Sequence, residues 1–339
     1  MKAGQTPFRQ EANPPGRLKV FQGMPDNQVD IPAFPKKRGN SRRPGLLCLQ
    51  MLRRLVKAYP RKDIAMSRLL LFLAIALAVL LVIHALAAWK FRRFGAGLAA
   101  QVASGQAGAA ALPRSDLPGP VAGFARRGLA GALPSGGHVR LTQAAEMEMK
   151  PGAGWQPIKA EQVIGLRQAG FVWQARQVAG PVTVVRVIDA YVAGGGLLQA
   201  RLLGSIPVAR AEGAEMNRGE AMRYLAELPW APDAIAMNRD IRWRMLESGE
   251  AEARLEMVPR DAVVRFAFDA AGDIATIRAE DRPATGPDGN TVLKPWEGHF
   301  SDYREMGGRR IPARGEVGYV EPEGYRPYWR GGIVDYAVN

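Results

Sequence analysis

The chain has 339 residues, 47% hydrophobic and 23% charged, enough for one or two packed domains and too apolar to be unfolded throughout. A single cysteine, Cys48, excludes an internal disulfide framework and a thiolate zinc site, and three histidines are too few for a multi-histidine metal cluster. No metal and no cofactor is expected. The net charge of +14 suggests nucleic acid only until it is located: residues 1–137 carry 21 Lys and Arg against 5 Asp and Glu, while residues 138–339 carry 25 against 27. The larger, near-neutral part therefore has no electrostatic footprint for nucleic acid.

Residues 1–65 are rich in proline, glycine and cations (PGRLKV, PKKRGNSRRPG), with one amphipathic patch at 45–59, a composition that cannot bury a core. They read either as a disordered basic tail drawn to anionic headgroups or as a leader upstream of a true start at Met66. Leu69 to Trp89 form 21 positions with His84 as the only markedly polar member, a helix of roughly 31 Å that matches a bilayer core. Arg53, Arg54, Lys57, Arg61, Lys62 and Arg68 precede it, against Lys90, Arg92 and Arg93 after it. The positive-inside rule then places the amino terminus in the cytoplasm and the carboxy-terminal domain outside a single-pass cytoplasmic (inner) membrane anchor at 66–93. A cleaved signal peptide with an Ala85-x-Ala87 site is the rival, disfavoured by the length of the apolar run and the cations beyond the cut.

Residues 94–137 are predicted as a stalk. Its first part, 94–112, is almost wholly small residues and should be flexible or weakly helical. Pro118 and Pro120 then open a short helix whose Val121, Phe124 and Leu129 dock on the domain after it. From His138 to the end the period becomes two. Val139, Leu141, Ala145, Met147 and Met149 alternate with polar residues, and the same grammar recurs in 171–176, 253–257 and 264–268. Turn pairs at Ser248-Gly249, Gly272-Asp273, Asp288-Gly289 and Gly307-Gly308 separate the runs, so 138–339 is predicted as a meandering antiparallel sheet of roughly ten strands. One helix interrupts it, capped at Asn217 with Glu220 three residues on, carrying Ala221, Met222, Leu225 and Leu228, and ended by Pro229. The expected fold is mainly β (α+β): a curved antiparallel sheet or half-barrel around one helix, preceded by a transmembrane helix.

The segments LPGPVAGFARRGL, GFVWQAR, LLGSIPVA, GEAMRYLAELPW, PWEGHFSDY, RIPARGEV and PYWRGGI, in that order over most of 116–336, resemble an uncharacterised bacterial family of membrane-anchored proteins known only as a domain of unknown function. The resemblance implies an amino-terminal anchor and a soluble β-rich domain, with no catalytic residues to carry over. In layout, a half-open barrel around a helix is also similar to periplasmic lipoprotein carriers.

No nucleophile elbow, Walker loop or zincin pair is present, and no enzyme activity is expected. Glu220, Arg223 and Glu227 share a helix side at spacings of three and four, which is read as the ion-paired face of an exposed helix. Glu297, His299, Ser301 and Asp302 supply acid, base and hydroxyl types in one short run, attributed to hairpin chemistry. A sheet curling round one helix leaves a groove, and apolar grooves with a few polar guides bind lipid-like molecules. The predicted ligand contacts are Trp173, Arg223, Tyr224 and Trp230, and the predicted partner is a membrane lipid or lipoprotein. The alternative is a non-catalytic envelope scaffold that docks on another envelope protein.

Overall fold

A computed structural model describes residue 54 and residues 61–105, 113–180, 182–286 and 288–339. The basic amino-terminal stretch, with its patch at 45–59, lies outside them but for its last residues, as does the end of the small-residue stalk at 106–112. The chain divides into two units, Met1–Leu69 and Leu70–Asn339. The second unit contains the whole of the sheet and most of the long helix that begins before it.

Helix α1 (Arg61–Ser104) is long and apolar enough to cross a membrane, and its apolar run at 70–83 is largely exposed. The helix does not stop where the apolar run does. Ala88, Phe91, Ala99 and Val102 recur at helical spacing and are buried. Phe91, Ala99 and Val102 pack on Val163, Val172, Ile188 and Ala190, on the outward face of the sheet. The segment from residue 94, expected as a flexible or weakly helical stalk, is docked helix as far as Ser104. Its small residues are what permit the approach: a Cβ on Gly95 would collide with Gln174 Oε1. Helix α2 (Gly119–Gly128) follows, with Pro120 in its first turn and Val121, Phe124 and Leu129 buried.

The sheet holds thirteen antiparallel strands: β1 (His138–Met147), β2 (Gln156–Gly165), β3 (Phe171–Ala179), β4 (Val182–Val192), β5 (Gly195–Leu202), β6 (Ile206–Ala211), β7 (Arg242–Met245), β8 (Ala251–Leu255), β9 (Ala262–Phe268), β10 (Ile274–Thr285), β11 (Thr291–Met306), β12 (Arg309–Glu321) and β13 (Gly324–Val338). Their order is β6-β5-β4-β3-β2-β1-β13-β12-β11-β10-β9-β8-β7, so every neighbour along the chain within each arm is a hairpin neighbour. The first and last strands pair at the centre, Val139 opposite Val338. The sheet is a curled half-barrel, and the glycines of the predicted turn pairs all have positive φ, Gly249 at 85° and Gly272 at 80° among them.

The chain between the two edge strands forms helix α3 (Ala214–Ala226), a 3₁₀ turn (Leu228–Trp230) and helix α4 (Pro232–Met237). Spanning from edge to edge, α3 packs on β4 and β5 of one arm and on β8, β9 and β10 of the other. Asn217 is not its cap. The helix starts earlier, after Gly213, and the Asn217 side chain instead accepts a hydrogen bond from Gly196 N at 2.7 Å, tying α3 to β5. On the other arm Arg282 donates to Gly219 O at 2.6 Å and Arg218 to Asp281 Oδ2 at 2.6 Å. The core beneath, including Phe171, Met222, Leu225, Ile235 and Phe266, fills the space between helix and sheet.

Candidate functional site

Along an inward-facing strand, residues of one parity meet the core. In β1 these are Val139, Leu141, Gln143, Ala145 and Met147, and in β2 they include Ala160, Gln162 and Ile164. Gln143 and Gln162 are 1% exposed, so polar amides stand in the apolar row. Asp189 does the same in β4, and Arg282 in β10 after a register shift. Gln143, Asp189 and Arg282 converge with Glu220 and Arg223 of α3 and with Glu227 just after it in the lining of a cavity of about 750 Å³.

The rest of the cavity is mainly apolar, lined by Trp173, Leu198, Trp230, Ile277, Trp296 and Phe300 among others. Trp230 packs edge-on against Phe300 at 5.3 Å and against Trp329 at 6.1 Å, and its Nε1 donates to Pro312 O at 3.0 Å. Trp173 Nε1 donates to Gln143 Oε1 at 2.8 Å. From there a chain of bonds runs inward: Gln143 donates to Gln162 at 3.4 Å, Gln162 to Glu227, Arg223 Nε to Glu227 Oε1 at 2.8 Å, and Arg223 Nη1 to Asp189. The Arg223 guanidinium lies 4.8 Å from the Phe171 ring centre and 4.9 Å from that of Trp173. Arg282 lies 4.3 Å from that of Trp296.

Three carboxyls, Asp189, Glu220 and Glu227, share this region with two guanidiniums, so full ionisation would leave one negative charge out of water. Burial, and then the neighbouring Asp189 charge, push the Glu220 carboxyl up to about 8, which keeps it neutral at neutral pH. The set then balances. Burial opposes the Arg223 charge, but Glu227, Asp189 and Glu220 outweigh it and hold the guanidinium above its ordinary value. Three atoms at the cavity remain buried without a hydrogen-bond partner: Asp189 Oδ1, Glu220 Oε2 and Arg282 Nε.

Of the four predicted contacts, Trp173, Arg223 and Trp230 line the cavity and Tyr224 does not. Tyr224 is fully buried on another side of α3, its hydroxyl donating to Gly165 O at 3.0 Å and accepting from Asn238 Nδ2 at 3.0 Å. It sits one residue from Arg223, about 100° round the helix, and belongs to the core. The expected exposed ion-paired face is also corrected: Glu220 and Glu227 are 3% and 8% exposed and face the cavity. Sequence reasoning missed Gln143, Gln162, Asp189 and Arg282, whose signal was a polar residue in the apolar phase of a strand. Of the run Glu297, His299, Ser301 and Asp302, the first three are partly brought together: Glu297 pairs with Arg278 at 2.7 Å and meets His299 Nε2 at 3.1 Å, and His299 and exposed Ser301 line one open surface cleft, with His299 edge-on to the Tyr325 ring. Asp302 sits outside the ladder with φ 57°. No cluster of His, Cys, Asp and Glu able to hold a metal occurs among the described residues.

Residues 110–331 match a family described as a family of unknown function (DUF6544). A search of curated proteins finds no match. Among solved structures, the chain is similar to a LolA superfamily protein from Nitrosomonas europaea, at 10% identity and TM-score 0.37, over 65% of this chain and 93% of the other. A putative outer membrane lipoprotein-sorting protein domain from Vibrio parahaemolyticus gives 11% identity and TM-score 0.38, over 65% and 91%. A DUF1329 family protein from Desulfovibrio piger gives 8% and 0.37, over 65% and 92%.

Proposed function

The chain belongs to the family of unknown function DUF6544, and we propose that it is a membrane-anchored binding protein whose half-barrel holds an apolar, acyl-type ligand with a small polar head. The observation that carries this is the composition of the cavity. Aromatic and aliphatic walls enclose about 750 Å³, within the range of small-molecule sites, and the lining includes Arg282, whose Nε has no hydrogen-bond partner, and the carboxyls of Glu220 and Asp189, whose Oε2 and Oδ1 no N–H reaches. Buried polar atoms are costly unless bonded, so a ligand that brings a carbonyl, ester or hydroxyl to them is stabilised there. Arg282 Nε donates, and the Glu220–Asp189 pair, which shares the Glu220 proton, offers its remaining oxygen lone pairs as acceptors. The near-balanced charge suits an uncharged head better than a free phosphate.

In this reading α1 is the anchor, the amino terminus is cytoplasmic, and the sheet lies on the far side of the inner membrane, with a lipid or the acyl portion of a lipoprotein as partner. A reporter fused after Asn339 should therefore respond only from outside the cytoplasm.

The ligand is tested on full-length protein extracted in mild detergent, by native mass spectrometry and by analysis of solvent-extracted lipid. An adduct of lipid mass is expected on the wild type and lost in Leu198→Trp, which fills the cavity with apolar volume and leaves the polar groups untouched. A wild type that carries no adduct, and takes up none when offered phospholipid or diacylglycerol, would sink the proposal in favour of a solid envelope scaffold.

A further inference from the structure

Hairpin connections in an antiparallel meander alternate between the two rims of the sheet. The turns at 148–155, 203–205, 256–261 and 322–323, with the β3–β4 and β10–β11 connections, therefore share one rim. The cavity opens there, because its lining includes Met149 and Pro151 of the first of these turns, Thr285 beside the β10–β11 connection, and Glu321 and Arg326 flanking the turn at 322–323. None of the turns of the opposite rim contributes to the lining.

The same rim carries exposed large hydrophobics in or beside its turns: Met149, Val182, Leu203, Ile206, Leu293 and, 94% exposed, Val258. On the other rim the comparable residues among those described are Met245 and Leu133, the latter just before β1.

Helix α1 fixes which way this rim faces. Its far end, Val102, lies against Gly170 on the opposite rim, with a Cβ placed there 3.6 Å from Val102 Cγ2. Its apolar end meets the mouth rim: His84 Nδ1 is hydrogen bonded to Ser205 Oγ at 2.6 Å, and a Cβ on Gly204 would be 3.6 Å from Ala88 Cβ. His84 and Ala88 lie within the apolar run that ends at Trp89, so the turn at 203–205 meets the helix between about 2 and 7 Å inside that end at ~1.5 Å per residue.

A second observation sets the depth independently. Lys159 is opposite Arg176, Arg176 opposite Arg186, and Arg186 opposite Arg201, so four cations form a row across β2 to β5. Like charges directly opposite one another destabilise a sheet. Arg186 is pushed below the ordinary guanidinium value by burial first, then by Arg92 and Arg176, while Glu161 opposes this. Arg201 lies 4.4 Å from the Phe91 ring centre, so the row sits level with the helix just beyond Trp89, where lipid phosphates would be.

We propose that the mouth rim is a lipid-surface contact: its apolar turns reach the top of the acyl chains, the row Lys159, Arg176, Arg186 and Arg201 meets lipid phosphates, and the cavity opens directly onto the bilayer. This rests on α1 being the membrane anchor and not on what the cavity holds. A ligand then passes between bilayer and cavity without crossing water.

The test uses the full chain with Cys48→Ser and one introduced cysteine at a time, Leu203→Cys, Val258→Cys, Leu133→Cys or Leu77→Cys, each labelled with bimane. The proteins are placed in nanodiscs of phosphatidylcholine and phosphatidylglycerol containing a lipid with a nitroxide near the top of its acyl chain. Strong quenching is expected at 203 and 258 as well as at 77, and none at 133, an exposed position that precedes β1 on the opposite rim. Quenching at 77 without quenching at 203 and 258 overturns the rim contact and leaves the anchor standing. Absence of quenching at 77 overturns both. A blue-shifted but unquenched label at 203 or 258 means that a protein covers the rim, and also overturns the proposal.

Discussion

Glu220 and Asp189 lie within hydrogen-bonding reach of each other at the cavity, and no other group of the described chain reaches Glu220 Oε2 or Asp189 Oδ1. Two acceptors can share such a contact only if one carries a proton. That proton belongs to Glu220, and it couples the site to pH.

The folded chain retains the Glu220 proton up to about pH 8, whereas an unperturbed glutamate releases it near 4.5. Between these values the folded state binds the extra proton. The stabilisation linked to it is complete below about 4.5 and is lost as pH rises through about 8, with a slope of at most about 1.4 kcal/mol per pH unit. Glu220→Gln keeps a donor toward Asp189 and removes the titration. Urea midpoints measured from pH 5 to pH 9 should fall with rising pH in the wild type and run flatter in the variant. Parallel curves would mean that Glu220 is ionised throughout.

Gln143→Leu isolates the role of the amide row. Gln143 is 1% exposed and bridges Trp173 Nε1 to Gln162 Oε1. Leucine fills similar volume but leaves an indole N–H and an amide oxygen without partners, at about 1–3 kcal/mol for each group. A loss of about 2–6 kcal/mol in chemical denaturation is expected, and adding Trp173→Phe, which removes the stranded indole N–H, should cost less than the two single changes together. Additive losses would place the energy in packing rather than in the bond.

These residues also mark where the sequence stops being informative. Alternation in 138–149 and the glycine pairs at the turns are local signals, and the half-barrel with its helix is legible from them. The additional strands were not. β2, β3 and β4 are buried on both faces where α1 covers them, as at Val163, Val172 and Ile188, so their alternation is blurred. The cavity's polar side depends on which arm faces which, a nonlocal fact. Arg223 and Tyr224 are adjacent in the chain and equally plausible as contacts, yet one lines the cavity and the other fills the core.

Asp233 and Arg309 form a bidentate pair at 2.7 and 2.9 Å with side chains 0% and 6% exposed. The aspartate also accepts from Ser135 N at 3.0 Å, so the pair joins α4, the segment before β1 and the start of β12. Arg309→Leu strands a buried carboxylate and should cost about 3–5 kcal/mol, whereas Asp233→Leu combined with Arg309→Leu should cost much less than the two single changes together. A double-mutant cycle on the unfolding free energy measures the difference. Additive losses would show that the two charges are solvated separately.

The contact that seats α3 against β5 is the last to test, because the position of Glu220 and Arg223 depends on it. A Cβ on Gly196 would stand 2.5 Å from Met216 O and 2.9 Å from Asn217 Cα, both backbone atoms that no rotamer change can move. Gly196→Ala therefore forces the helix away from the strand, stretching the 2.7 Å bond from Gly196 N to Asn217 Oδ1. A loss of about 1–3 kcal/mol is expected from the overpacking. Asn217→Ala removes only the bond and should lose about 1 kcal/mol. Since Gly196→Ala already breaks that bond, the double variant should be little worse than Gly196→Ala alone. A lifted helix also admits water to Glu220, so the fall in stability with rising pH should be shallower in Gly196→Ala than in the wild type. If Gly196→Ala matched the wild type in both midpoint and pH slope, the helix would not be clamped to β5 by this contact, and the geometry assigned to the polar side of the cavity would have to change.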